Sequence, residues 1–225
     1  TIGAVRVENA YSLHPIEIEE YQITSTFKHS EDKKGGSIGD KSYIPYGLYS
    51  FQAMYNANQG KNNGVDSKLL YKLDKSFIHG AESYKTGTKN VQTMLYIRIL
   101  KEKANYNILS EKIKDVNLSF DDLIKEINDL SDVKEVRLYI KEGMDYFHPQ
   151  LNKLKERLNA VNIEEWKDDD EKYHSEYIGI YQVINSNPNG DPSNANLPRT
   201  IEFNGEENGM ISPERIKHQN RDIYN

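Results

Sequence analysis

The sequence predicts an α+β fold with an RNA-recognition-like (ferredoxin-like) core that carries insertions. Two observations indicate this fold. Segments with alternating apolar residues, which are typical of strands, are interspersed with segments whose apolar residues recur at helical spacing. Their order of strand, helix, strand and helix is that of ferredoxin-like α+β domains. The 225 residues suffice for one large or two small domains.

The predicted strands and loops follow from apolar alternation and from glycine content. Strands are predicted at residues 16–27, 48–57, 94–100, 133–140 and 177–184. Loops are predicted at residues 28–41, which contain three glycines, and at residues 59–64, which are rich in glycine and asparagine.

Three helices are predicted from caps and apolar spacing. Asp66 is expected to cap the first helix, which ends at Gly80. Its apolar positions are Leu69, Leu70, Leu73, Phe77 and Ile78. Ser119 and Asp122 form a capping box for the second. The apolar face of that helix is Phe120, Leu123, Ile124, Ile127 and Leu130. Pro149 suits the first turn of the third. Its apolar positions are Leu151, Leu154, Leu158 and Val161.

Composition excludes several classes of site. The chain has no cysteine, so it contains neither a disulfide nor a thiolate metal site. No apolar run reaches the roughly 18 residues of a membrane helix, and no secretory signal opens the sequence. We therefore expect a cytoplasmic protein with no membrane partner. No Walker-type loop and no histidine pair at metal-ligand spacing occurs.

Charge is segregated along the chain, although the net charge is −6. Acidic residues concentrate at residues 163–176, and basic residues concentrate at 28–41 and 215–221. This segregation fits a basic groove on an acidic body, since phosphate binding requires positive charge locally and not overall. It fits ordinary solvated faces equally well.

The most informative motif follows the predicted strand at residues 177–184. It reads Asn187-Pro188-Asn189-Gly190-Asp191-Pro192. The two prolines fix φ and stiffen the loop at both ends, while Gly190 tolerates positive φ. Loops on a rigid scaffold often carry binding residues, although a surface turn is the simpler interpretation.

Residues 177–224 resemble the N-terminal end of the backbone subunit of type I CRISPR Cascade complexes, a RAMP-type protein, most closely in the I-B and I-C branches. In that family a strand leads into this loop, a Pro-Arg pair, a glycine-containing link and a basic helix. The matching positions are residues 187–192, Pro198, Arg199, Gly209, Lys217 and Arg221. His218 stands where the family usually carries a further basic residue.

A second resemblance to the same family lies earlier in this chain. Residues 3–17 resemble the strand that opens the second half of such subunits, and residues 43–49 resemble the motif that follows it. Residues 1–166 therefore resemble the family's C-terminal half and 167–225 its N-terminal strand, loop and helix, together forming one domain. A circular permutation, a sequence written in non-native order and a cut across a tandem repeat all explain this order. The acidic run 168–171 is then the join or the native start.

The resemblance implies a non-catalytic subunit that binds guide RNA (crRNA) along its phosphate–ribose backbone. Copies would associate head-to-tail with one another and with other Cascade subunits. They would present the guide for pairing with target DNA in antiviral defence, and we lean to type I-B. The resemblance implies neither a cofactor nor a metal.

Candidate RNA contacts divide into three groups. The predicted phosphate ligands are Arg199, Lys217 and Arg221. The predicted ribose or phosphate hydrogen-bonding groups are Asn187, Asn189 and the backbone of Gly190. The remaining candidates are Asp191, His218, Arg6, His14 and Lys41. His14 is equally well an interior histidine. The tyrosines at positions 43, 46, 49 and 55 either stack on bases or belong to the core.

Two other functions stay open. In type III effector complexes the homologous backbone subunit cleaves RNA with a metal ion and an aspartate in the comparable loop, where this chain has Asp191. A metal-dependent RNA endonuclease is therefore one alternative. A protein-interaction α+β domain that binds no nucleic acid is the other.

Overall fold

The computed structural model describes residues 3–25, 37–83, 85–86, 89–113, 119–142, 149–164, 167–194 and 196–221. The strands are β1 (Val5–Val7), β2 (Ala10–Pro15), β3 (Glu19–Ser25), β4 (Ser37–Tyr55), β5 (Val91–Lys101), β6 (Val133–Ile140), β7 (Val161–Asn162), β8 (His174–Ser186), β9 (Thr200–Phe203) and β10 (Glu206–Ile211). The helices are α1 (Ala57–Asn62), α2 (Ser67–Ser83), α3 (Asp121–Asp129), α4 (Gln150–Arg157) and α5 (Pro213–Arg221). None of the helices in these residues has the length and apolar character needed to cross a bilayer.

Within the described residues, ten strands form one sheet in the order β7-β6-β5-β8-β4-β2-β10-β9, with β1 and β3 paired to β4. Its centre is β5-β8-β4-β2, and α2 and α5 pack on the same face. Taken from β8, these elements run β8-α5-β2-β4-α2-β5, which is the βαββαβ pattern of the ferredoxin-like fold. The predicted α+β class is therefore confirmed, and the other elements are insertions around this core.

The sheet is buried on both faces because the strand residues alternate between two apolar clusters. In β8, Tyr177 and Tyr181 point to the cluster that includes α2 and α5, and Ile178 and Ile180 point to the cluster that includes α3 and α4. Successive strand side chains project to opposite faces, so this alternation fixes the register of β8 against β4 and β5.

A buried ionic network joins α2 to the sheet. The Arg98 Nη1 atom lies 2.7 Å from Asp74 Oδ2 on α2 and 3.1 Å from Asp170 Oδ2, in the turn before β8. The Arg137 guanidinium of β6 contacts both carboxylate oxygens of Asp170, at 2.5 and 2.6 Å. Burial raises the pKa of Asp74, and Arg98 opposes that shift. Removing one partner would leave a buried charge uncompensated, which typically costs about 3–5 kcal/mol.

Several predicted boundaries differ from the structure. The segment 59–64, predicted as a loop, belongs mostly to α1. Asn56 caps this helix by accepting a hydrogen bond from Gln59 N at 3.1 Å. A Cβ on Gly60 would lie 2.0 Å from the Tyr55 hydroxyl. This glycine therefore permits close packing, and its presence does not indicate a loop.

The other corrections concern helix and strand ends. Asp66 does cap α2, with Leu69 N donating to Asp66 Oδ1 at 2.7 Å, but the helix continues past Gly80 to Ser83. The capping box at Ser119 is wrong, because the buried Phe120 occupies the N-cap of α3 and no side chain caps it. Val161 lies in β7 and not in the preceding helix.

The predicted strand and loop at residues 16–41 also shift. The strand begins at Glu19, because Ile16 turns toward β10 and its N–H donates to Glu207 O at 2.9 Å. Residues 37–41, predicted as loop, extend β4 and pair with β3. The rest of that predicted loop, residues 28–36, and the last two residues of the predicted strand, Thr26 and Phe27, lie outside the described residues.

Gly179 provides a test of the packing at the centre of the sheet. A Cβ at this position would lie 2.0 Å from Phe51 Cε1. The Phe51 ring is stacked on Tyr181 with centroids 4.6 Å apart and cannot move freely. We expect Gly179→Ala to lower the free energy of unfolding by about 1–3 kcal/mol, measured by urea denaturation.

The matched control is Gly39→Ala in β4, where an added Cβ meets no atom within 4 Å. Its free energy of unfolding should stay within about 0.5 kcal/mol of the unmodified protein. Equal midpoints for the two variants would contradict the proposed close packing.

Candidate nucleic-acid interface

The loop that follows β8 has a fixed backbone. Asn189 O accepts a hydrogen bond from Arg199 N at 2.7 Å, and Leu197 O accepts one from Asp191 N at 2.8 Å. An isolated antiparallel bridge joins Gly190 to Pro198 between them. Arg215 of α5 donates from Nε to Pro188 O at 3.2 Å, which ties the loop to the helix. The loop is therefore a rigid hairpin at the end of the central strand.

A cleft of about 380 Å³ lies against this loop. Residues from distant parts of the sequence line it, because β3, β4, the segment before β5, the end of β8 and α5 converge there. The lining residues are Tyr21, Lys41, Ser42, Tyr43, Lys89, Asn185, Asn187, Pro188, Asn189, Gly190, Asn196 and Arg215.

The cleft is cationic. Lys41, Lys89 and Arg215 line it, and none of its lining residues in the described part of the chain is Asp or Glu. Partial burial lowers the pKa of Lys89, and the positive charge of Arg215 lowers it further. Two cations placed together without a carboxylate in the lining form a site that favours an anion such as phosphate.

Aromatic and amide groups complete the lining. The Tyr21 and Tyr43 rings pack edge-to-face with centroids 5.4 Å apart. The Tyr43 hydroxyl donates to the Glu19 carboxylate, which orients the ring. Asparagine amides from the end of β8 and from the loop line the same cleft. Cations, aromatic faces and amides are the groups that proteins use on single-stranded nucleic acid.

The structure brings four of the predicted RNA contacts into this cleft. They are Lys41, Asn187, Asn189 and Gly190. Asn187 donates from Nδ2 to Asn196 O at 3.2 Å, so part of its amide braces the loop. Asn189 is only 9% exposed. Lys41 lies on β4 opposite Tyr21 of β3, which positions it at the cleft by strand pairing.

Other predicted contacts lie near the loop but outside the cleft lining. The Asp191 carboxylate accepts hydrogen bonds from the Ser193 N–H at 2.8 Å and from its hydroxyl at 2.5 Å, and these bonds lower the pKa of Asp191. Arg199 is half-buried, and Lys217 and His218 are exposed on α5. The side chain of Arg221 lies outside the described residues.

Arg199 and Lys217 both lie close enough to the Glu214 carboxylate to affect its pKa. Hydrogen bonds from its own N–H and from Ser212 lower its pKa, and the charges of Lys217 and Arg199 lower it further. Both cations therefore lie near an acidic group on the outer side of α5. Gly209, predicted as part of a link, lies instead in β10, where a Cβ would meet the Tyr49 hydroxyl at 2.0 Å.

Arg6 and His14 do not line the cleft. Arg6 pairs with Met54, at the opposite end of β4 from Lys41. The His14 Nε2 atom accepts from Leu48 N at 3.3 Å, its Nδ1 atom lies 2.7 Å from Pro15 O, and its ring stacks on Tyr46. Both ring nitrogens therefore have partners within the sheet, as expected for a structural histidine. His14 is half-buried, and its role in RNA binding stays a prediction.

Several lining residues were not predicted as contacts from the sequence. They include Tyr21, Lys89, Asn185 and Arg215. Arg215 belongs to the basic segment that the sequence singled out. Lys89 carries no local signal, because its position beside Arg215 depends on tertiary structure that brings together residues more than a hundred positions apart. Among the described residues, no group of three or more His, Cys, Asp or Glu side chains is arranged to hold a metal ion.

Comparison with known proteins gives the family. Residues 1–141 match the family described as CRISPR-associated protein Cas7. No curated protein matches the sequence significantly. The match includes the part of the chain that contributes Tyr21, Lys41 and Lys89 to the cleft. It ends before β8 and the loop that complete the ferredoxin-like core. Because the match covers more than half of the chain, this protein belongs to the Cas7 family of CRISPR-associated proteins.

Proposed function

We propose that the protein is a non-catalytic backbone subunit that binds guide RNA through the cleft beside the loop after β8. The observation that carries this proposal is the lining of that cleft, where Lys41, Lys89 and Arg215 lie with two tyrosines and no described carboxylate. The cations bind phosphates regardless of base sequence. Guide bases then stay free to pair with target DNA, and this pairing supplies the specificity of the complex.

We also propose how copies of the subunit assemble. Copies of the subunit associate head-to-tail along one guide and form an open filament with the other subunits of a type I complex, in the I-B or I-C branch, in the cytoplasm. The edge strand β9 supports this assembly, because Ile201 is 42% and Phe203 is 66% exposed there. Such exposed apolar residues, on a strand that pairs only with β10 in the described part of the chain, favour contact with another chain.

We also propose that the two segments of the chain are permuted relative to the family. The strand order supports this, because β8 and α5 occupy the first two places of the βαββαβ pattern but come last in the sequence. The family match, which ends at residue 141, is consistent with this order.

Replacement of Lys89 and Arg215 by alanine tests RNA binding by the cleft. We expect the double variant Lys89→Ala/Arg215→Ala to bind a labelled single-stranded RNA at least about a hundredfold more weakly, since each of the two charge-assisted contacts contributes about 1.5–3 kcal/mol. Affinity is measured by fluorescence anisotropy across a salt series. The slope of the logarithm of the association constant against the logarithm of the salt concentration should become shallower by about 0.7 per lost phosphate contact.

The control carries the same change in charge elsewhere. Lys125 and Lys172 are exposed and do not line the cleft, so Lys125→Ala/Lys172→Ala should leave both affinity and salt slope nearly unchanged. Equal losses in the two double variants would contradict a local site.

A nuclease assay tests the non-catalytic assignment. The recovered RNA should be full length after incubation with Mg²⁺. RNA that is shortened, and spared in Asp191→Ala, would instead establish the endonuclease alternative.

The pH dependence of binding tests the environment of Lys89. Because burial and Arg215 lower its pKa below the ordinary value of 10.5, Lys89 loses its proton earlier than an exposed lysine as the pH rises. RNA binding requires the charged form, so affinity is full below the lowered pKa and falls above it. We expect the affinity of the unmodified protein to decline between neutral pH and 10.5, while Lys89→Arg, which stays charged, declines less. Superimposable pH profiles would contradict this assignment.

A further inference from the structure

Asn185 stands out among the lining residues because of its backbone. It lies within β8, yet its φ is 44°. Residues other than glycine seldom adopt positive φ, and asparagine tolerates it better than most. Such departures persist only where surrounding contacts impose them, and they concentrate at binding sites.

The facing strand explains the local interruption of the sheet. Ile44 pairs with Ser186 and Tyr46 pairs with Ile184, so Asn185 stands opposite Pro45. Proline has no N–H, and the ladder cannot form its usual hydrogen bonds at this point. The pairing register is the same on both sides, so the departure is confined to one residue.

Asn90, immediately before β5, fixes the residues on either side. Ile184 N donates to Asn90 O at 3.1 Å, and Asn90 N donates to Ser186 Oγ at 2.9 Å. Both neighbours of Asn185 are therefore bound to the adjacent strand. Asn185 is presented to the cleft from a rigid element and not from a mobile loop, as specific recognition requires.

The Asn185 amide has chemistry that the cations of the cleft lack. Lys41, Lys89 and Arg215 are donors only and bind phosphate, which RNA and DNA share. An amide both donates and accepts, and the ribose 2′-hydroxyl does the same. The Asn185 side chain is exposed and, within the described part of the chain, has no hydrogen-bond partner, whereas Asn187 already donates to the loop.

We propose that Asn185 recognises the ribose 2′-hydroxyl of the bound strand and gives the cleft its preference for RNA over DNA. This inference rests on the proposed RNA-binding function and adds the group that discriminates the sugar. Phosphate contacts supply affinity for either nucleic acid, and the Asn185 amide adds one hydrogen bond that only RNA can form.

The test compares labelled oligo(U), oligo(dU) and 2′-O-methyl oligo(U) by fluorescence anisotropy. Asn185→Gly removes the amide and keeps a residue that accepts positive φ. We expect this variant to bind oligo(U) about three- to tenfold more weakly, as for one neutral hydrogen bond, with unchanged affinity for oligo(dU). The control is Asn204→Gly, which makes the same change at φ 54° in the β9–β10 turn. It should bind like the unmodified protein.

Each outcome bears on the inference. The unmodified protein should prefer oligo(U) to both oligo(dU) and the methylated strand, a readout that does not depend on any variant folding. Equal affinity for all three would overturn the assignment while leaving RNA binding intact. Equal losses for oligo(U) and oligo(dU) in Asn185→Gly would also overturn it. Binding of none of the three by the unmodified protein would overturn both this inference and the proposed function.

Discussion

The structure depends on the burial of β8 between two neighbouring strands and two apolar layers. β4 and β5 pair with it along most of its length, and its side chains alternate between the two clusters. At Gly179 the Phe51 ring occupies the space of a side chain, so the contact tolerates no added atom. A slip of one residue would exchange the two faces, and the register is therefore fixed. This fixed strand positions Asn185 and the loop beyond it.

Several buried charges of the interior are paired with opposite charges, whereas the charged side chains in the described lining of the cleft are all cations. In the interior, Asp74, Asp170 and Glu176 each lie against Arg98, Arg137 or Lys101, and these pairs tie α2 and the turn before β8 to the sheet. In the cleft, Lys89 and Arg215 lie together, and the pKa of Lys89 falls accordingly. An overall acidic protein thus retains a cleft whose described lining carries three cations and no carboxylate.

Local patterns predicted the fold class and most elements, since apolar alternation and caps such as Asp66 act over a few residues. They failed where a distant contact decided the outcome. Gly60 was predicted to lie in a loop, but a glycine is needed there because the Tyr55 ring occupies the space of a side chain. Ser119 does not cap α3, because the buried Phe120 takes the N-cap position. The acidic run at 168–171 looked solvated, yet Asp170 is buried against two arginines more than thirty positions away.

The same limit applies to the cleft. The loop motif identified Asn187, Asn189 and Gly190, because its prolines and glycine are visible in sequence. Lys89 and Asn185 were missed. Lys89 reaches the cleft only because the fold places it beside Arg215, and the backbone of Asn185 departs from the strand opposite Pro45. Arg6 and His14 were selected for their charge and position in a matched segment, and the pairing of β1 and β2 with β4 places them away from the cleft.

The most direct measurement is to purify the protein at low salt without added nuclease and determine whether RNA accompanies it. The absorbance ratio at 260 and 280 nm and the size of the extracted nucleic acid give the answer. We expect co-purified RNA that salt removes and that is lost when the cleft cations are replaced by alanine. A protein free of nucleic acid that also fails to bind added RNA would contradict it and would favour a protein-interaction domain.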